Sequence, residues 1–102
     1  MIEVSGTTAV DGDLIIGKGD MYSQAKFILQ KIERALSEAG SSLKEVTRTR
    51  MFVTDISRWE DAGKAHGEVF KDIKPAATMV EVSALIHPDL LIEIEVTAIV
   101  SG

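Results

Sequence analysis

A chain of 102 residues, 45% hydrophobic and 26% charged, has the size and make-up of one globular domain, and sixteen acidic against eleven basic residues leave it at −5. It has no cysteine, which excludes disulfides, thiolate metal ligands and a cysteine nucleophile; no apolar run approaches the ~18 residues of a membrane span, and no basic-then-apolar leader precedes Asp11, so no secretory signal is expected and the cytoplasm is the default compartment. The densest basic stretch is Arg48-Thr49-Arg50, too sparse for the clustered cations that displace phosphate counterions, so nucleic acid is disfavoured and a small molecule or protein is the expected partner.

The chain opens on Ile2-Glu3-Val4, a short strand running into Ser5-Gly6-Thr7-Thr8. Asp11-Gly12-Asp13 is turn chemistry, and the apolar run Leu14-Ile15-Ile16 reads equally as strand or packed loop before Gly17 and Gly19 close it. Asp20 stands where a helix cap belongs. From 21 to 39 the apolar residues Met21, Ala25, Ile28, Leu29, Ile32, Leu36 and Ala39 follow the i, i+3, i+4 spacing of one helical face, and Gly40 is the expected C-terminal cap. Phe27 falls on the opposite side and reads as an exposed aromatic. Residues 46–54 alternate and are rich in β-branched side chains, which predicts a strand. Ser57-x-x-Glu60 has the form of a capping box opening a second helix to about Asp72, with Trp59, Ala62, His66, Val69 and Phe70 inward. Pro75 ends that segment, and strands near 77–83 and 91–100 follow, joined by a loop around His87-Pro88. There is no internal repeat, low-complexity tract or linker.

The strands carry the most informative pattern. In the last one Ile92, Ile94, Val96, Ala98 and Val100 share one face and Glu93, Glu95 and Thr97 the other; in the strand from Val46, Thr49, Met51 and Val53 oppose Arg48, Arg50 and Phe52. In the strand between them Thr78, Val80 and Val82 oppose Ala77, Met79, Glu81 and Ser83. With helices over the apolar side, a second face is expected to carry Glu81, Glu93 and Glu95 with Arg48 and Arg50. Such a face is either a solvated sheet surface or a wet subunit interface in which arginines hold the carboxylates ionised. A carboxylate so held can orient a water as a general base.

Other catalytic signatures are missing. His66 and His87 have no HxxxH or Cys/His partner for a transition metal. His66 is read as a packed, hydrogen-bonded histidine or a functional one, and His87 as solvated. Gly17-Lys18-Gly19-Asp20 lacks the spacing of a phosphate loop, and there is no nucleophile elbow.

The order Val4-Ser5-Gly6-Thr7, Gln24, Ala39-Gly40, Phe52-Val53-Thr54-Asp55, Phe70, Pro75-Ala76, Val80-Glu81-Val82 and Ile92-Glu93-Ile94-Glu95-Val96-x-Ala98 resembles the Rid family, the reactive-intermediate deaminases or YjgF-like proteins. The resemblance runs from about Ile2 to Val100. It implies a chorismate-mutase-like α+β fold, a mostly antiparallel sheet with two helices on one face, assembled as a homotrimer. It also implies clefts between subunits for small carboxylated metabolites or reactive imines and enamines, worked without metal or organic cofactor. Glu93 matches the glutamate that orients the attacking water, Ser5 and Gly6 match the cleft wall, and Thr78 neighbours the carboxylate-binding position. His66 falls at a cleft-side helix position that is aromatic in relatives. The family's carboxylate-binding arginine corresponds to Ala77, which has no planar fork of donors, so standard 2-imino acid deamination is not expected. Arg50, on the same expected face, is the candidate replacement in an enamine or imine deaminase of altered specificity. A ribonuclease or translation inhibitor is a further reading that the acidic balance and the lack of paired histidines oppose. The family's first hairpin strand has no counterpart before Ile2.

Overall fold

The structure, a computed structural model, describes residues 1–100. In chain order the elements are β1 (Ile2–Thr8), β2 (Val10–Asp11), β3 (Leu14–Ile15), α1 (Met21–Glu38), β4 (Val46–Val53), α2 (Trp59–Phe70), β5 (Ala76–Glu81) and β6 (Ile92–Ala98), with single 3-10 turns at Leu43–Glu45 and Ile56–Arg58.

Helix α1 forms where the apolar spacing places it. Met21, Ala25, Ile28, Leu29, Ile32 and Leu36 are all buried. Asp20 accepts the Ser23 N–H at 3.1 Å and its hydroxyl at 2.8 Å, satisfying a donor that the first turn leaves free. At the other end Gly40 turns left-handed (φ 83°); the Ser41 N–H then reaches the Leu36 carbonyl at 2.8 Å and the Gly40 N–H that of Ser37 at 3.1 Å. This closure needs the φ that only glycine adopts freely. The run 14–16, open in sequence, pairs as a small hairpin: Leu14 and Ile15 lie opposite Asp11 and Val10 around Gly12 (φ 62°).

Helix α2 corrects two expectations. Asp55 caps the 3-10 turn that leads into it: the Asp55 carboxylate accepts the Ser57 N–H at 3.0 Å and the Ser57 hydroxyl at 2.6 Å, so that hydroxyl is engaged, no Ser57–Glu60 capping box forms, and α2 itself starts after Arg58 with no side-chain cap. Trp59 is 54% exposed instead of inward, because the intervening 3-10 turn rotates the first helical residue away from the core. Ala62, Ala65 and Phe70 are buried, and His66 and Val69 half-buried. The helix stops at Phe70, short of Asp72; Lys74 takes φ 55° and returns its N–H to the Phe70 carbonyl at 2.9 Å, delivering the chain to Pro75.

The main sheet has the order β1-β6-β4-β5. β6 is antiparallel to both neighbours, while β5 runs parallel to β4 because α2 carries the chain across between them. Ile92, Ile94, Val96 and Ala98 of the interior strand β6 are buried and pack with α1, α2, Met51 and Val53 into one core. Each fully buried Leu or Ile contributes about 1.5–3 kcal/mol. Phe27 is not a stray exposed aromatic: it is half-buried against that core, with the Lys31 ammonium 5.7 Å from its ring, and Lys31 also donates to the Thr8 and Val10 carbonyls.

Gln24, a completely buried amide on α1, fixes the entry to β6. Its Nε2 donates to the Asp89 carbonyl at 2.9 Å and its Oε1 accepts the Leu91 N–H at 2.8 Å. Those two bonds hold the loop after β5 against the helix and set where Glu93 begins its strand.

Candidate functional site

The side of the sheet away from the helices is assembled by register. Thr8, Glu93, Phe52 and Val80 lie in line across the strands; next come Glu95, Arg50 and Thr78, then Glu3, Thr97, Arg48 and Ala76. β1 bulges opposite Glu95: Val4 pairs with Val96 and Thr7 with Ile94, so Ser5 and Gly6 share the interval. Arg50 Nε meets Glu95 Oε1 at 2.5 Å, a cross-strand ion pair between register partners. Thr97 donates its hydroxyl to Glu3 at 3.1 Å.

Glu93 differs from these neighbours. Among the described residues it has no ion-pair or hydrogen-bond partner, and its carboxylate lies against the bare backbone of Gly6. A Cβ built on Gly6 would sit 2.5 Å from Glu93 Oε2, so glycine is what admits the carboxylate to this place. An unpaired carboxylate on an open face can bind a ligand cation or orient a water. Ser5, exposed on the same bulge, stands next to it.

The expected membership of this face needs correcting in β5. Ala77 is the register partner of Thr49, Met79 of Met51 and Glu81 of Val53, all on the helix side; Thr78 and Val80 are on the open side. Glu81 therefore does not join Glu93 and Glu95. It accepts the Ile56 N–H at 2.9 Å and supports the turn into α2. Ala77 and Arg50 likewise occupy opposite faces of one chain, and Arg50 is engaged by Glu95.

His66 belongs to a second group, on the helix side at the β5 edge. Its Nε2 is 2.8 Å from Oγ1 of the fully buried Thr49, and its ring lies 4.7 Å from that of Phe70. Burial lowers its pKa, because a half-desolvated imidazolium loses hydration. Ala77, partner of Thr49, lies beside this pair. The structure thus brings Ser5, Gly6 and Glu93 together on one face, and His66 and Ala77 together on the other. Arg50 and Thr78 are neighbours on the Glu93 face. His87 is exposed and its Nδ1 accepts the Asp89 N–H at 3.0 Å.

Two concave parts of the surface lie elsewhere. One of about 590 Å³ is walled by Lys44, Thr47, Ile73, Lys74, Pro75 and Ile99, and one of about 340 Å³ by Thr54, Ser83, Leu85, His87, Pro88 and Leu90. Neither contains Glu93, which is half-buried on the side of the sheet away from the helices. Among the described residues no group of three His, Asp or Glu is placed to hold a metal, and no helix is long and apolar enough to cross a membrane.

A model of the family described as Endoribonuclease L-PSP matches residues 1–100. The chain belongs to this family. A 3-aminoacrylate deaminase RutC from Acinetobacter baylyi is 35% identical over 95 residues, covering 92% of this chain and 75% of the relative. An uncharacterized protein from Streptomyces coelicolor is also 35% identical over 95 residues, with 93% and 71% covered. Among solved structures, a member of the YjgF/YER057c/UK114 family from Mycobacterium tuberculosis superposes with a TM-score of 0.85 at 46% identity, covering 96% of this chain and 77% of that one. A protein of the Rid family from Yersinia pestis gives 0.87 at 28% identity, with 97% and 77% covered. The Rid resemblance and the YjgF-like fold read from the sequence both hold.

Proposed function

We propose that this chain acts as a homotrimer, binding a small carboxylated metabolite or a reactive imine or enamine in clefts between subunits, with Glu93 as the water-orienting residue and with little standard 2-imino acid deaminase activity. The placement of its residues supports a site shared between copies. Glu93 with Gly6 and Ala77 with His66 occupy opposite faces of one sheet, so a compact ligand meets both sets only where two copies adjoin. Half-buried Phe52 and the 42% exposed Val80, side by side on the Glu93 face, supply apolar surface for that contact.

The observation that carries the negative part is Ala77. A carboxylate entering beside Thr49 and His66 meets a methyl group there in place of a two-pronged cation. The test is release of ammonia and pyruvate from freshly generated 2-aminoacrylate, with an Ala77→Arg variant alongside. Slow turnover by the natural chain and faster turnover by the variant are expected. Rapid turnover by the natural chain would overturn the claim.

A second reading, an enamine deaminase of altered specificity, is favoured by the unpaired Glu93 and by the 35% identity to a protein named 3-aminoacrylate deaminase. Glu93 would activate water for attack on the imine carbon, and ammonia would leave. Ammonia released from 3-aminoacrylate and abolished by Glu93→Gln supports this reading; no release removes it.

A further inference from the structure

The pair formed by His66 and Thr49 is used by neither Glu93 nor the open face, yet it is built with care. Thr49 is fully buried on β4 and His66 Nε2 is its hydrogen-bond partner at 2.8 Å, while Phe70 flanks the ring at 4.7 Å. The other ring nitrogen, Nδ1, has no partner among the described residues, and none of their buried side-chain nitrogens or oxygens lacks one, so Nδ1 is reached by solvent. Beside the pair the wall is low. Ala77, half-buried Met79 and, at the far end, Glu81 are the β5 residues on this side, and on α2 Gly63 and Gly67 leave the helix surface near His66 bare. A Cβ on Gly67 would meet nothing within 4 Å, and one on Gly63 only the Trp59 ring at 4.0 Å, so packing inside the chain does not call for either glycine. Glycine inside a helix is destabilising, and here it leaves an uncovered approach to His66.

We infer that His66 is a ligand-recognition residue, and that the ligand end lying next to Ala77 is an uncharged carbonyl, such as an amide, ester or ketone oxygen, which accepts a hydrogen bond from Nδ1–H. The inference rests on the small-metabolite reading above and narrows its ligand class. Among the described residues His66 Nε2 is the one hydrogen-bond partner of the fully buried Thr49 hydroxyl, so the hydroxyl proton is satisfied only by donating to Nε2, which puts the ring proton on Nδ1 and points that donor outward. Half-burial keeps the ring neutral near pH 7. A neutral donor beside the Phe70 ring and the Ala77 methyl satisfies a carbonyl oxygen. It does not compensate a carboxylate for the hydration lost on entry.

Binding of succinamate, which has an amide at one end, and of succinate, which has a carboxylate at both, to the natural chain, followed by heteronuclear NMR of the histidine rings, tests this, with His66→Phe and Ala77→Leu as variants. Phenylalanine keeps the ring against Phe70 and removes the nitrogens; leucine at the exposed edge position fills the approach without touching the core. Succinamate is expected to bind about tenfold more tightly than succinate, to shift the His66 nitrogen resonances and not those of His87, and to lose that advantage in both variants. Succinate binding as tightly as succinamate, or an unmoved His66 resonance at saturation, would overturn the inference and leave the metabolite reading standing. No binding of either compound to the natural chain would overturn that reading and this inference with it.

Discussion

Replacing Gly6 by alanine places a methyl carbon 2.5 Å from Glu93 Oε2, 2.7 Å from Cδ and 3.2 Å from Cγ. The atoms in the way belong to the far end of a rotatable side chain, so the backbone need not move; Glu93 must leave its rotamer or swing outward, which costs about 0.5–1.5 kcal/mol. Gly6 has no left-handed φ, so alanine adopts its backbone without strain, and the less flexible unfolded chain returns about 0.4–1 kcal/mol. The two effects nearly cancel, and Gly6→Ala is expected to unfold in urea close to the natural chain. In a Glu93→Ala background the obstruction is gone and only the favourable effect remains. A double-mutant cycle should therefore give a coupling of about 1 kcal/mol between residues 6 and 93. Additive effects in that cycle would refute the claim that Gly6 is present to admit the carboxylate. So would a large loss of stability in both backgrounds, which would mean that the bulge itself requires glycine.

Gln24→Leu leaves the Asp89 carbonyl and the Leu91 N–H buried without partners, and equilibrium unfolding should show a loss of about 2–4 kcal/mol. His66, with its pKa lowered in the folded chain, binds protons less readily than in the unfolded chain; its share of stability is present above 6.5, the ordinary histidine value, and is lost as pH falls through the folded pKa. Urea midpoints should decline over that acid range, and His66→Phe should remove that part of the slope. Val80→Asp puts a charge on the apolar part of the open face; light scattering should show the trimer proposed above falling to the 11.0 kDa monomer.

The elements that sequence reading placed well are those in which one face is deeply buried. β6 has an apolar residue at every core position and α1 at every one but Gln24, and their alternation or helical spacing admits a single phase. β5 shows the opposite case. It is an edge strand in which Met79 alone is even half-buried, so hydrophobicity does not set which side faces the helices. Reading Val80 as inward shifts the strand by one residue, which moved Glu81 and Ala77 to the wrong face. The capping box failed on a local competition, since Asp55 lies two residues before Ser57 and takes its hydroxyl first. Gln24 stood out only through the family resemblance, because nothing in local spacing announces a polar side chain whose partners lie 65 and 67 residues further on. The hydrogen-bonded reading of His66 followed from its position on the apolar side of α2, although its partner Thr49 was not foreseen.

The strand order has a consequence for synthesis. β6 is last among the elements in chain order, yet it stands inside the sheet between β1 and β4. Until the ribosome has released residues 92–98, β1 has nothing to pair with and the apolar sides of α1 and β4 have no complete surface to cover. Pairing the earliest strand with the latest closes a loop of nearly the whole chain, which slows folding and lengthens exposure of sticky intermediates. A nascent chain stalled before Ile92 should therefore remain protease-sensitive and dependent on chaperones.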